Sequence, residues 1–379
     1  MDAIAKINDP QCELLLLLSC TGISRLYFTM RTCPPRFFEF AQRSFDVAFR
    51  SSLERVVTAS GTGFSDWQWK LATLPYSFGG LGVYSAGDVL NYAFLASRLQ
   101  SADLQTKLLR HTGIVSPGSI FDDALSVFNT SIETDLLSNP SEITAFKIMK
   151  KIADIYFTRV TKNVESIFSL SSRHMALCTS QKEDHTFDCL RTVPISGLGK
   201  TMNGKTYRCV MCYRLGIPLF SCSKPCSACS NVFAWDIYGD HAVSCVGIIG
   251  IKHRHNVVRD TLVDICYHSG ISAGKEVDIG LDRGRDKPLR LADILLYSWD
   301  GGLYVCVDLT RSSPLTQTGM VDFVPGRAVI DVTQCKRGKY MDMCAATGYG
   351  FILFSFSSVG ELEADVVTLL KRVWKFSIT

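Results

Sequence analysis

Three cysteines and a histidine between positions 226 and 245 can be the ligands of one metal ion. Cys226 and Cys229 are separated by two residues, and His241 and Cys245 by three. Three thiolates and one imidazole in two closely spaced pairs match the ligands that tetrahedral zinc prefers. Four protein ligands leave no open position on the ion, so the pattern predicts a zinc knuckle that is structural or binds nucleic acid. Asp240 or a backbone carbonyl would orient the imidazole. The alternative is four reduced residues that share no metal.

Two aspartates further along the chain occupy strand-like segments that should pair with each other. The segments 292–299 and 303–310 are joined by Asp300-Gly301-Gly302, which is typical of a hairpin turn. Fourteen residues separate Asp293 from Asp308, so antiparallel pairing should bring the two carboxylates together. Two carboxylates at strand ends can hold Mg²⁺, with water and a phosphate oxygen completing its shell.

A magnesium site of this kind would also use a third acid and a lysine. Glu276 or Asp278, in a predicted strand over 275–279, could supply the acid. Lys336 or Lys339, in a predicted helix after the hairpin, could orient or activate the attacking water. Paired acids on strands are otherwise usually just exposed side chains, so the neighbouring residues favour the catalytic interpretation.

The basic segment 252–256 (Lys-His-Arg-His-Asn) lies between these two groups of residues. It precedes a predicted helix over 257–267, whose N-terminus would suit a phosphate. Lys252, Arg254, His255 and Asn256 are therefore predicted to contact nucleic acid. The alternative is that Asn256 caps the helix and the basic residues are simply exposed. The inward-facing positions of the helix are predicted to be Val257, Val258, Leu262, Ile265 and Cys266.

The sequence upstream of the cysteines predicts a helical platform. Apolar residues recur with helical spacing over 37–57, 86–111 and 141–166. The glycine-rich loop 79–82 lacks the lysine and Ser/Thr of a P-loop, so we interpret it as a structural turn. With the strands downstream, these helices predict an α+β chain.

The composition is that of a folded protein with reduced cysteines. The 379 residues are 47% hydrophobic and 20% charged, which suits two or three domains with buried cores. Fifteen cysteines are spread along the chain with no secretory signal before them, so thiols and metal ligation are expected rather than disulfides. Cys209 and Cys212 could be half a metal site or a redox pair, but burial is favoured.

The leucine run 14–18 is too short for a membrane span, which predicts a soluble intracellular protein. Because the net charge is only +4, a nucleic-acid surface would need local clustering.

The ordered series of motifs resembles the C-terminal part of non-LTR retrotransposon polyproteins that carry a restriction-like endonuclease. The motifs are the ligands Cys226, Cys229, His241 and Cys245, then Arg254-His255-Asn256, then Arg290-Leu291-Ala292-Asp293 with Asp308, then Lys336 and Lys339-Tyr340. Upstream, the segments 20–27, 31–35 and 74–82 are similar to the thumb and linker of plant LINE-like reverse transcriptases. No Tyr-x-Asp-Asp motif occurs, so a polymerase active site is not expected in this chain.

The resemblance implies an α+β chain in four parts. These are a mostly helical thumb-like remnant over 1–110, a helical linker over 111–204, a CCHC zinc knuckle over 205–250 and an α/β restriction-endonuclease-like core of the PD-(D/E)xK type over 251–379.

For the site, the resemblance implies Asp293 and Asp308 as Mg²⁺ ligands, Glu276 as third acid and Lys336 or Lys339 as catalytic lysine. Two departures from the family pattern are Leu291, near which the family pattern has a proline, and Thr310, where the simplest pattern has the lysine.

The activity implied is nicking of target DNA in the nucleus, so that the new 3′ end primes reverse transcription. The implied partners are DNA, the RNA of the element and a reverse transcriptase supplied in trans, with no membrane. The alternative is a catalytically dead remnant that binds nucleic acid.

Overall fold

The structure is a computed structural model. It describes residues 1, 3–59, 61, 63–112, 118–132, 147–197, 199–222, 225–229, 236–245, 247–279, 291–315, 320 and 323–378. The beginning of the predicted helix 141–166 and Arg290 lie outside these ranges.

The described residues form a mixed chain of helices and one sheet. The helices are α1 (Pro10–Cys20), α2 (Tyr27–Thr32), α3 (Pro35–Thr58), α4 (Asp66–Thr73), α5 (Ala86–Thr112), α6 (Gly118–Ile132), α7 (Ile148–Phe168), α8 (Ser172–Ser180), α9 (Asp188–Arg191), α10 (Gly204–Arg214), α11 (Asp240–Ser244), α12 (Ile248–His268), α13 (Arg327–Ala346) and α14 (Ala364–Ile378). The strands are β1 (Ala273–Asp278), β2 (Leu291–Asp300), β3 (Leu303–Ser312) and β4 (Gly350–Ser357). The predicted α+β class is confirmed at this level.

The chain divides into two compact units. The first unit contains Met1–Ser171 and Asp188–Ile217, and the second contains Ser172–Phe187 and Pro218–Thr379. The four cysteine and histidine ligands and the predicted endonuclease segment therefore belong to the same unit. The finer division into four segments stays a prediction.

The first unit is helical, and polar side chains satisfy free backbone N–H groups at the start of α1 and α5. Asp9 accepts from the N–H groups of Gln11 and Cys12 at the start of α1. Asp46 of α3 accepts from Ala86 and Gly87 at 2.6 and 3.0 Å, which fixes the start of α5 against α3. The segment Pro10–Thr32 is apolar enough by length and composition to cross a membrane, but core helices and signal sequences pass the same test.

The second unit is built around one four-stranded sheet in the order β1-β2-β3-β4. The first three strands are antiparallel, and β4 runs parallel to β3, with α13 as the crossover between them. Alternate residues of β2 and β3, such as Ile294 and Val307, pack with residues of α12 and α14. Leu295 and Cys306 lie in a second cluster with Cys344 of α13. Helices therefore cover both faces of the sheet.

A bulge in β2 sets the register that aligns the two aspartates. The turn residues Gly301 and Gly302 have positive φ, as the predicted two-residue turn requires, and Asp300 pairs with Leu303. Continued without irregularity, this register would place Asp293 opposite Thr310. A shift between Leu296 and Asp300, where Ser298 has φ 50°, pairs Ile294 with Val307 instead. Asp293 therefore lies opposite Asp308.

Helix α12 starts at Ile248, directly after Gly247, which is nine residues earlier than the start of the predicted helix 257–267. Residues 252–256 are therefore inside the helix. The predicted helix N-terminus beside them is wrong, and so is the alternative in which Asn256 caps the helix. The predicted inward positions Val257 and Ile265 are 52% and 42% exposed. The core side consists of Val258, Leu262 and Cys266, which lie on one face because they are four residues apart.

Candidate functional site

The side chains of Cys226, Cys229, His241 and Cys245 converge as the spacing predicts. Their ligand atoms all lie within 4.8 Å of one another. Cys226 Sγ lies 3.6 Å from Cys245 Sγ, and Cys229 Sγ lies 3.6 Å from His241 Nε2. Sulfur and nitrogen ligands at zinc-like bond lengths and tetrahedral angles would be about 3.5 to 3.8 Å apart. The cluster can therefore bind a metal such as zinc, with Nε2 as the imidazole ligand.

Short-range hydrogen bonds build this cluster. The carboxylate of Asp236 accepts from the N–H groups of Gly239, Asp240 and His241 at 2.9, 2.9 and 2.7 Å. These bonds satisfy the first N–H groups of α11 and hold it in place although it is only five residues long. The N–H groups of Ala228 and then Cys229, with His241 and Cys245, lower the pKa of the Cys226 thiol to about 6. A thiolate at neutral pH favours metal binding.

Asp240, which the sequence suggested as a group to orient the imidazole, forms an ion pair with an arginine. Both of its carboxylate oxygens accept from Arg173 of α8, at 2.5 and 2.8 Å. The Arg173 guanidinium also lies 4.0 Å from the centre of the Tyr238 ring. Neighbouring helical residues point about 100° apart, so Asp240 and His241 face different sides of α11. Asp240 thus attaches α8 to the cluster.

An open cleft of about 820 Å³ lies beside the metal cluster in the second unit. The cleft is lined by the end of α11 with Cys245, by α12, by the facing ends of β2 and β3, by α13 and by the end of β4. The residues that line it are Val243, Ser244, Cys245, Ile251, His253, Arg254, His255, Val257, Val258, Asp293, Asp308, Leu309, Thr310, Arg311, Lys336, Phe356, Ser357 and Ser358. Acidic, basic and imidazole groups therefore share one accessible space.

Asp293 and Asp308 are each held by a neighbouring cationic or N–H group. Asp293 Oδ2 accepts from the backbone N–H of Leu309 at 2.7 Å and lies 3.1 Å from His255 Nε2. Asp308 Oδ2 accepts from Lys336 Nζ at 2.6 Å. Between 21% and 31% of each of the four side chains is exposed, so solutes in the cleft can reach all of them.

Glu276 and Lys339 lie outside the residues that line the cleft within the described part of the chain. Glu276 is next to Asp293 across the strands, since Lys275 pairs with Ile294 and Val277 with Ala292. It has φ 49°, however, and its carboxylate accepts from Arg259 of α12. Lys339 is exposed, and its Nζ lies 5.1 Å from the Tyr340 ring centre. Of the two predicted lysines, Lys336 is the one beside Asp308.

The residues predicted to bind nucleic acid are on α12 but have different surroundings. Lys252 and Asn256 are exposed. His255 contacts Asp293, as described above. Arg254 donates to the carbonyl oxygens of Cys245 at 2.5 Å and Ala242 at 3.4 Å, so its guanidinium binds the backbone of the metal cluster.

Cys209 and Cys212 are in the first unit, apart from the cluster. Cys212 Sγ is 3.6 Å from the carbonyl oxygen of Val57, and burial raises the pKa of its thiol to about 11. A protonated thiol is a poor metal ligand and nucleophile. This supports the interpretation of Cys212 as a structural thiol. Cys209 is exposed, so its predicted burial is wrong.

Several residues of the site were not predicted from the sequence. His253, Thr310 and Arg311 line the cleft, and Asp236 and Arg173 support the cluster. An acid a few residues before a short helix is a capping signal, so Asp236 could have been recognised. Arg173 lies 67 positions from Asp240, and no local pattern indicates such a contact.

No family model matches the chain, and no curated protein matches it. The geometry of the cluster and the cleft therefore carries the functional argument.

Proposed function

We propose that the cleft is the active site of a Mg²⁺-dependent DNA endonuclease that nicks one strand of its target. The observation that supports this is the meeting of Asp293 and Asp308 across the β2–β3 hairpin, with Lys336 Nζ 2.6 Å from Asp308. Two strand-borne carboxylates beside a lysine provide a divalent-cation site and a positive charge in one accessible cleft.

Asp293 and Asp308 would hold the cation through carboxylate oxygens, the hard ligands that Mg²⁺ prefers. When bound, the cation supplies charge stabilisation to the scissile phosphate and lowers the pKa of its water. Leu309 N–H and His255 both contact Oδ2 of Asp293, so we assign the other oxygen, Oδ1, to the cation. Lys336 orients Asp308 and contributes positive charge where the phosphate becomes more negative.

In the proposed reaction, the oxygen of a water molecule attacks phosphorus and the bond to the 3′ oxygen breaks. The attacking water loses one proton and the departing oxygen gains one, which leaves a 3′-hydroxyl and a 5′-phosphate. Lys336 is the residue we assign to orient the water. The 3′-hydroxyl is the group that a reverse transcriptase acting in trans would extend.

The surroundings of the cleft support a nucleic-acid substrate. Arg311 and Lys336 line it, and cationic side chains of this kind contact phosphates. A mixed sheet with helices on both faces is compatible with the restriction-like core that the sequence resemblance implies. The metal cluster beside the cleft is suited to an additional DNA or RNA contact. The proposal includes a nuclear location, where the target DNA of such a reaction would lie.

Plasmid nicking tests the proposal. Asp293→Ala or Asp308→Ala should slow Mg²⁺-dependent nicking by about 100-fold or more, since a metal site contributes several kcal/mol to the barrier. DNA binding measured with Ca²⁺ should stay close to that of the parent. Asp331→Ala, which removes an exposed acid of α13, is the matched control and should nick normally.

Each other outcome identifies an alternative. Unchanged nicking by both aspartate variants would remove these residues from the reaction. A parent protein that carries zinc and binds DNA but does not nick it would be the catalytically dead binding remnant. A parent protein without bound zinc would indicate a decayed copy, because a folded cluster should retain the ion.

A further inference from the structure

Two consecutive residues of α12 contact different parts of the site. Arg254 Nη2 donates to the carbonyl oxygen of Cys245 at 2.5 Å, and Nη1 donates to that of Ala242 at 3.4 Å. His255 Nε2 lies 3.1 Å from Asp293 Oδ2. Arg254, whose side chain is bound to the metal cluster, is therefore followed directly in the chain by His255, whose side chain contacts the proposed catalytic carboxylate of Asp293.

The Arg254 contacts are chemically favourable in this position. Ala242 is in α11 and Cys245 is the residue that ends it, so both carbonyls lie at a helix C-terminus without intrahelical partners. A guanidinium fork has several donors in one plane and can bind two carbonyls together, and a positive charge stabilises this end of a helix. Arg254 therefore holds the end of α11 that carries the ligand Cys245.

The first turn of α12 also packs closely on the metal cluster. A Cβ atom added to Gly247 would be 2.5 Å from the carbonyl oxygen of Ala228, which lies between the ligands Cys226 and Cys229. A Cβ atom added to Gly250 would be 3.0 Å from Arg254 Nη1. Glycine is required at the first position because the backbones of helix and cluster touch. The cluster and the start of α12 therefore form one packed piece.

One turn beyond His255, Arg259 donates to Glu276 of β1 and to Asp260. Helix α12 is thus attached to the cluster through Arg254 and to the sheet through Arg259, with His255 between these attachments. Removal of the Arg254 side chain deletes its hydrogen bonds from the turn that carries His255 to the metal cluster.

We propose that Arg254 is a positioning residue that couples the metal cluster to the cation site of the cleft. With the cluster loaded, Arg254 fixes the turn that sets His255 against Asp293, and the carboxylate is thereby oriented for its cation. This inference rests on the proposed nuclease function. It gives Arg254 a role other than the phosphate contact expected from its charge.

Arg254→Ala, Arg254→Lys and Lys252→Ala, compared with the parent, test the coupling. Lys252 is exposed on the same helix and its removal costs the same charge, so Lys252→Ala is the matched control. Mn²⁺ affinity is measured by electron paramagnetic resonance on zinc-loaded full-length protein, with Asp293→Ala identifying the cleft signal. Nicking kcat and KM, DNA affinity in Ca²⁺ and zinc content are measured on the same samples.

Arg254→Ala should lower Mn²⁺ affinity and kcat by about 10- to 100-fold, the usual effect of removing a residue that orients a metal ligand. The KM for DNA and the zinc content should stay at parental values. Lys252→Ala should keep parental Mn²⁺ affinity but weaken DNA binding and its dependence on salt. Arg254→Lys should lie between the parent and Arg254→Ala, because lysine replaces only part of the fork.

Unchanged Mn²⁺ affinity and kcat in Arg254→Ala, with DNA affinity reduced as in Lys252→Ala, would overturn the coupling and leave the nuclease standing. If Arg254→Ala loses its zinc, Arg254→Lys with full zinc decides: parental Mn²⁺ affinity overturns the proposal and reduced affinity supports it. A parent that binds Mn²⁺ more tightly than Arg254→Ala but nicks no DNA supports the coupling and refutes the nuclease. A parent that binds no Mn²⁺ refutes both.

Discussion

Lys336 and Lys339 are three residues apart on α13, but only Lys336 contacts the proposed cation site. Its Nζ lies 2.6 Å from Asp308 Oδ2, whereas Lys339 is exposed beside Tyr340. Lys336→Met should therefore reduce nicking by about 100-fold, the lower end of what a positioned proton-transfer or charge-stabilising group contributes. Lys339→Met should nick at the parental rate. Single-turnover rates on a supercoiled plasmid measure both, and equal losses in the two variants would contradict the assignment of Lys336.

The sequence predicted which residue types belong to the site better than which atoms meet. The two lysines could not be distinguished, because the face that α13 presents to β3 depends on packing across the sheet. The bond between Arg254 and Cys245 was missed for a related reason: a basic residue near a predicted helix start looks the same whether it binds a phosphate or a carbonyl. The four ligands of the metal cluster were predictable because each pair is close in sequence.

Strands and helices were predictable from periodicity, but their register and limits were not. The alternation in β2 and β3 and the Gly301-Gly302 turn indicate a hairpin, yet that turn alone would align Asp293 with Thr310. The bulge around Ser298 corrects the alignment, and nothing in the local composition marks it. The early start of α12 at Ile248 was missed because its first turn packs on Ala228, a tertiary contact.

At the scale of an element, we expect a metal ion bound by the cluster to stabilise α11 and its neighbouring turn. Five helical residues are too few to be stable alone, so binding energy of the ion should supply much of their folding energy. Cys229→Ser should abolish retention of one zinc equivalent per chain and lower the melting temperature of the second unit. Cys222→Ser removes an exposed neighbouring thiol and should keep zinc. The zinc bound per chain is measured by its release to a chromophoric chelator. Equal amounts of bound zinc in the two variants would contradict the ligand set.

Over the whole molecule, the chain passes from one unit to the other more than once. Residues 172–187 belong to the second unit, although the following segment 188–217 belongs to the first. The buried Glu361 carboxylate attaches α8 to the rest of the second unit, since its Oε1 accepts from Ser180 Oγ at 2.8 Å and from the N–H of Gly326 at 3.1 Å. This arrangement was not predictable from the sequence, because it depends on contacts between residues far apart in the chain.

Glu361→Ala should destabilise the second unit by about 1 to 3 kcal/mol, because it leaves buried donors without their acceptor. Amide hydrogen exchange should accelerate in α8 and leave the first unit unaffected. Asp342→Ala, which removes an exposed carboxylate, is the control and should exchange like the parent. Uniform acceleration throughout both units would argue against a local attachment.

The bond between Ser180 and Glu361 spans 181 positions, which has a consequence for synthesis on the ribosome. At about 5 to 20 residues per second, α8 emerges roughly 10 to 40 seconds before its partner. During that interval the Ser180 hydroxyl, which is buried in the finished protein, lacks its Glu361 acceptor. Helix α10 differs, because α1 and α3, the helices that it contacts, are synthesised before it. All residues of the first unit are therefore synthesised before α8 can form its bond to Glu361 in the second unit.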